Sequence, residues 1–224
     1  MCCGLGERRR RLWFAECRVM SGRDHRPGGN QQGSYNPGAM QTPETIRQLL
    51  RKWVTNAKEH HLGDVLIDEL CIVDKTCRAD LVHANGRLCG FEVKSEADTF
   101  KRWPQQMEAY LRVFDEVWIC CHRKHAVRAL NDSHASVGIL IIDEFSSIAV
   151  LRPARQNKDV IAYDLSGLLW REELDELCRR QGLPVRRSER IRETRHRVAE
   201  SVPLEALRSQ VLERLKVRYA PIAS

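Results

Sequence analysis

Arg78-Ala79-Asp80-Leu81-Val82-His83-Ala84-Asn85-Gly86-Arg87-Leu88-Cys89-Gly90-Phe91-Glu92-Val93-Lys94-Ser95 is the stretch on which the reading of this chain turns. Two β-prone runs, Arg78 to Ala84 and Leu88 to Ser95, flank Asn85-Gly86, a dipeptide suited to the positive φ values of a hairpin turn. Side chains alternate along a strand, so Glu92 and Lys94 emerge side by side while Phe91 and Val93 enter the core. An acid and a lysine in a central strand need partners or a function, because burying charge unpaired is costly. The bland alternative is an exposed pair on an amphipathic strand.

Asp80 lies on the adjacent strand between Ala79 and Leu81. Two carboxylates meeting at one point repel each other, and a divalent cation resolves the conflict. Hard oxygen ligands favour Mg²⁺ or Mn²⁺. Such a metal polarises a phosphate and acidifies a bound water, with Lys94 placed to orient that water or steady developing charge. The geometry sets one condition. A two-residue Asn85-Gly86 loop would put Asp80 opposite Phe91, facing away from Glu92. A shared site therefore requires a three-residue loop or a bulge.

Working outward, Thr42-Pro43 reads as a helix cap and first helical residue. Ile46, Leu49, Leu50, Trp53, Val54 and Ala57 then recur at helical spacing to about Lys58. Val65 to Val73 reads as a strand preceding the hairpin. A helix is expected from about Pro104 to Phe114. Glu116 to Cys121 and Val137 to Ile142 read as buried strands around a short helix near Ala126 to Asn131. This order predicts an α/β fold, a mixed sheet covered by helices.

Beyond Pro153 the pattern turns helical. Leu168, Leu169, Leu174 and Leu177 suggest a helix ending near Gly182-Leu183-Pro184, and two more are expected over Ser188 to Ala199 and over Pro203 to Tyr219. Between Arg186 and Arg218 stand ten basic residues against five Glu. Phosphate contact and a solvated face on packing helices are equally open readings. The expected organisation has three parts: 1–41 a disordered extension, 42–152 the sheet core, and 153–224 a basic helical region.

Charged residues make up 30% of the 224, with net charge +7 and pI near 9.1. That excess permits an anionic partner without demanding one. No apolar run approaches the roughly 20 residues of a membrane span, and nothing resembles a signal peptide, so a cytoplasmic setting is expected. The nine cysteines are odd in number and form no Cys-x-x-Cys pair, which reads as free thiols in a reducing compartment. The eight histidines show no His-x-x-x-His spacing, giving a structural zinc site little support.

As an ordered set, these motifs resemble the PD-(D/E)XK superfamily, with Glu69, Asp80 and Glu92-Val93-Lys94 in its acid, Asp and Glu-x-Lys positions. Gln106-Met107-Glu108-Ala109-Tyr110 looks like the Gln-xxx-Tyr motif of several nuclease branches, and puts Gln106 and Tyr110 on one helix face. Asp98-Thr99-Phe100-Lys101-Arg102, Val113-Phe114-Asp115 and Leu168-Leu169-Trp170-Arg171-Glu172-Glu173-Leu174 are similar to the Sce7726 family of nuclease-like proteins. The resemblance covers roughly residues 43 to 219. Ala79 stands where the motif's proline would be. Glu69 is favoured as third acid over Glu44 or Glu59.

The resemblance implies a restriction-endonuclease-like core and a Mg²⁺-dependent (or Mn²⁺-dependent) deoxyribonuclease. Asp80, Glu92 and Glu69 would hold the metal, and Lys94, Gln106 and Tyr110 would complete the catalytic set. Lys101 and Arg102 are candidates for holding flanking phosphates, as is His125. The alternative is a catalytically inactive nucleic-acid-binding module on the same fold. A third is a scaffold whose basic helices bind a protein. DNA is the favoured partner over RNA, and the oligomeric state is left open.

Overall fold

Thr42 caps the first helix: the Thr45 amide donates to Thr42 Oγ1 at 3.2 Å, and Pro43 takes the first helical position. This computed structural model describes residues 42–57, 60–186 and 188–220. The extension expected over residues 1–41 lies outside them. Helix α1 (Pro43–Ala57) buries Ile46, Leu50 and Val54.

The described strands are β1 (Val65–Ile72), β2 (Cys77–Ala84), β3 (Leu88–Lys94), β4 (Glu116–His122), β5 (Gly138–Ile142) and β6 (Ile148–Arg152), and they form one sheet in sequence order. β1, β2 and β3 pair antiparallel, β3, β4 and β5 parallel, and β6 returns antiparallel. Parallel neighbours need crossovers. Helix α2 (Trp103–Leu111) supplies the first, and a 3₁₀ turn (Arg123–His125) with helix α3 (Ala126–Asp132) supplies the second. The mixed α/β sheet is therefore as the sequence pattern indicates.

Both faces of the sheet are covered, so β3 and β4 read as nearly continuous apolar runs. Phe91, Val93, Trp118 and Cys120 pack with the α1 residues on one face. Leu88, Val117, Ile119 and Cys121 pack on the other with Trp103, Tyr110 and Phe114. Gly90 permits that second layer to come close: a Cβ there would stand 2.3 Å from the Phe114 ring.

Four more helices follow: α4 (Ala162–Ser166), α5 (Arg171–Arg180), α6 (Ile191–Ser201) and α7 (Leu204–Tyr219). Their Leu174, Leu177, Val198, Leu207, Val211 and Leu215 join the same cluster as Val65 and Ile67 of β1. Arg195, Arg197, Arg208, Arg214, Lys216 and Arg218 all form ion pairs with acids. Three of these pairs reach back to residues before β5: Arg195 to Asp74, Arg208 to Asp115 at 2.8 Å, and Lys216 to Asp64 at 2.7 Å. Arg214 and Arg218 of α7 pair with Glu176 and Glu173 of α5. Much of the basic charge in this region thus serves packing.

The sequence pattern does not indicate β6 or α4. β6 is a short edge strand with alternating half-exposed residues, and α4 spans five residues, too few for a periodic signal. Helix α2 ends at Leu111 because the Val113 and Phe114 amides both turn back to the Tyr110 carbonyl. Among the described residues no helix is long and apolar enough to cross a membrane.

Candidate functional site

The hairpin register satisfies the condition that the sequence imposes. Ala84 pairs with Leu88 and Leu81 with Phe91, leaving a three-residue loop of Asn85, Gly86 and Arg87. Gly86 supplies the loop's positive φ of 96°. Continuing that register places Asp80 across from Glu92, and Asp80 Oδ2 accepts from the Val93 amide at 2.8 Å.

Glu92 and Lys94 are buried, at 2% and 4% exposure, which removes the reading of an exposed pair. Their charge is satisfied locally. Glu92 Oε1 accepts from Lys94 Nζ and, at 2.7 Å, from Gln106 Nε2. Lys94 Nζ also donates to Gln106 Oε1 at 2.9 Å. The other carboxylate oxygen, Glu92 Oε2, accepts from the Tyr110 hydroxyl at 2.6 Å. That same hydroxyl accepts from the Asp80 amide at 3.3 Å. The four-residue spacing on α2 is what brings Gln106 and Tyr110 to one carboxylate.

Asp80 has a different environment. Among the described residues it forms no ion pair. Burial, reinforced by the neighbouring Glu92 charge, pushes its carboxyl up to about 6. Burial, then the Glu92 and Asp80 charges, push the Tyr110 phenol well above its usual range, so it remains a donor at neutral pH.

Asp80, Glu92 and Lys94 open onto a cleft of ≈ 400 Å³ between the hairpin and α2, lined also by Arg78, Arg102 and Gln106. Asp98 borders it as well, and holds the loop after β3 by accepting from the Ser95 amide at 2.7 Å. Lys101 is exposed beside Arg102 but does not line the cleft. Arg78 is a cleft cation that the motifs do not single out, although its place two residues before Asp80 is a usable signal.

Glu69 is not brought into this group. Its backbone is left-handed, with φ 54°, and the β1–β2 ladder skips it between Asp68↔Leu81 and Leu70↔Ala79. Its carboxylate goes to Arg47 at 3.7 Å and Arg78 at 3.3 Å. Glu44 also pairs with Arg47, at 3.4 Å, so neither acid joins Asp80 and Glu92. His125 sits apart too: its Nε2 lies 3.2 Å from the Ser95 carbonyl and its ring packs on Phe100.

Two carboxylates, one of them outside any ion pair among the described residues, form a donor set that fits a hard dication retaining several waters. The fit is to two protein ligands, not the three that Glu69 would have made.

The family described as "Bacteriophage P4 protein cII" matches residues 42–224 of the chain. Protein cII of Enterobacteria phage P4 is 26% identical over 180 residues, covering 79% of this chain and 67% of the phage protein. These findings correct the resemblance drawn from the motifs: the family is not the Sce7726 nuclease-like family. The assignment as a Mg²⁺-dependent deoxyribonuclease, with its nuclease and hydrolase description, rested on that resemblance and is overturned with it. The physical reason is that Glu-x-Lys and Gln-xxx-Tyr are periodicities that place side chains together, and placement alone does not specify a reaction. The described part of the chain is matched from end to end, and the protein belongs to the bacteriophage P4 protein cII family.

Proposed function

We propose that this chain is a nucleic-acid-binding protein, DNA being the favoured ligand, built on a restriction-endonuclease-like core used for binding. The observation that carries the reading is the cleft itself. A network of buried Glu92, Lys94 and Tyr110 with half-buried Asp80 and Gln106 opens between the exposed cations Arg78 and Arg102. Lys101 stands beside them, and the whole chain carries +7.

Phosphates approaching that rim would meet Arg78, Lys101 and Arg102. These contacts position a backbone without reading its sequence. Asp80 and Glu92 would hold Mg²⁺ or Mn²⁺, which supplies the positive charge that lets a phosphate sit above two carboxylates. Lys94 stays with Glu92 and Gln106, keeping the Glu92 carboxylate in place. The apposed helix α2 closes one wall of the cleft.

Fluorescence anisotropy with labelled single- and double-stranded DNA and RNA, across a salt series with Mg²⁺ or EDTA, tests this. The expected result is salt-dependent binding, stronger in Mg²⁺, with the probe recovered intact. Lys101→Ala with Arg102→Ala should weaken binding and reduce the salt slope by roughly one unit for each phosphate no longer neutralised. No binding at low salt, or an unchanged slope in the double variant, would overturn the assignment. A probe cut in Mg²⁺ by wild type but not by Lys94→Ala would overturn its non-catalytic part.

A further inference from the structure

Away from the cleft, a second group of polar side chains converges at the start of the sheet. His60 and Asp64 belong to the turn before β1, and His83 lies on β2 where it pairs with Leu66. Strand pairing brings His83 back over the turn, although 23 residues separate it from His60. His60 Nδ1 and His83 Nε2 are 3.0 Å apart, with the ring planes 22° from parallel and the ring centroids 5.2 Å apart. One ligand atom from each of His60, Asp64 and His83 lies within 4.8 Å of the others, and among the described residues no other group of three His, Cys, Asp or Glu does so.

We propose that His60, Asp64 and His83 bind a transition-metal dication, Zn²⁺ being the best fit. Two imidazole nitrogens and one carboxylate suit zinc far better than magnesium or calcium, which take oxygen ligands. Bonds of about 2.0–2.1 Å in a tetrahedral site put two zinc-bound nitrogens about 3.3 Å apart. The observed 3.0 Å is within a small side-chain adjustment of that spacing. In the absence of metal one imidazole donates to the other. On binding, the donor ring takes the opposite tautomer, its proton moving to the other ring nitrogen, so that both facing nitrogens offer lone pairs to the ion.

The surroundings fit a metal site as well. Asp64 is oriented from both sides: Oδ1 accepts from Lys216 Nζ and Oδ2 from the His61 amide, both at 2.7 Å. Ligating carboxylates held in this way are characteristic of metal centres. A cleft of ≈ 390 Å³ lined by His60, Asp64, Val65 and Ala220 gives access from solvent. Three protein ligands leave a fourth position for water. Bound metal would fasten the connection between α1 and β1 to β2, and through Asp64 and Lys216 to α7. This site is independent of the nucleic-acid cleft.

Spectroscopy and calorimetry on the full chain, stripped with EDTA and held in excess Mg²⁺, test the proposal. Titrated Co²⁺ should give the intense visible band of a tetrahedral nitrogen and oxygen site, which one equivalent of Zn²⁺ should abolish. Zn²⁺ stoichiometry should fall by one in His60→Ala, at a partly exposed position, and in Asp64→Asn, whose side chain is only 5% exposed and for which circular dichroism must first show a folded protein. His83 is fully buried, so circular dichroism must show His83→Ala folded before its stoichiometry is compared. Unchanged stoichiometry in His60→Ala and Asp64→Asn would overturn the proposal. So would a Co²⁺ spectrum of thiolate charge-transfer bands alone, which would place the metal on cysteines.

Discussion

The Tyr110 hydroxyl donates to Glu92 Oε2 at 2.6 Å, and it does so from a fully buried ring on the helix that faces β3. Glu92 is thereby held from α2 on one oxygen, and from Lys94 and Gln106 on the other. A carboxylate at 2% exposure is tolerable only with such a set of donors.

Removing that hydroxyl should therefore be costly without altering shape. Tyr110→Phe leaves Glu92 Oε2 and the Asp80 amide each short of a partner. The expected loss is about 1–3 kcal/mol in urea unfolding, the cost of a buried unsatisfied polar group. A variant as stable as wild type would show that the bond contributes little.

Asp80 should make stability depend on pH. Its carboxyl is raised to about 6 in the folded chain, by burial first and by Glu92 next, against about 3.9 when unfolded. Between those values the folded state binds more protons than the unfolded one, so stability falls as pH rises from roughly 4 to about 6. Lys94 and Arg47 lessen the effect without cancelling it. Urea midpoints measured in EDTA across that window should decline in wild type and show a smaller decline in Asp80→Asn. An identical decline in both would assign the effect to another group.

Gly90 is the one position on β3 where a methyl group has nowhere to go. In Gly90→Ala the new Cβ would stand 2.3 Å from the Phe114 ring. That ring packs against Tyr110 at 5.1 Å, so moving it disturbs the Glu92 network. A destabilisation of about 1–3 kcal/mol is expected. Chemical denaturation measures it directly, and an unchanged midpoint would mean that Phe114 moves freely.

The thiols should separate by reactivity. Cys71 is exposed, whereas Cys89, Cys120 and Cys121 are buried. Burial pushes Cys121 up to about 12, and burial with the Glu92 charge pushes Cys77 up to about 11. Iodoacetamide at mildly alkaline pH should modify Cys71 before these others, as read by peptide mass spectrometry. Early labelling of Cys121 in folded protein would contradict the packing of β4.

The sequence by itself determined whatever is written in local period. Alternation placed Glu92 and Lys94 on one face of β3, four-residue spacing aligned Gln106 with Tyr110, and Thr42-Pro43 marked where α1 begins. Those patterns repeat within a few residues, so the backbone geometry of a strand or helix suffices to read them. The family was not legible there, because short motifs constrain placement more than identity. Tertiary structure alone decided the three-residue loop that sets Asp80 across from Glu92, and the turn of Glu69 toward Arg47 and Arg78. It also decided that Lys216 meets Asp64 across 152 positions of sequence, and that His83 returns to His60. Such contacts depend on strand register and on which helix covers which face, quantities that no local periodicity carries.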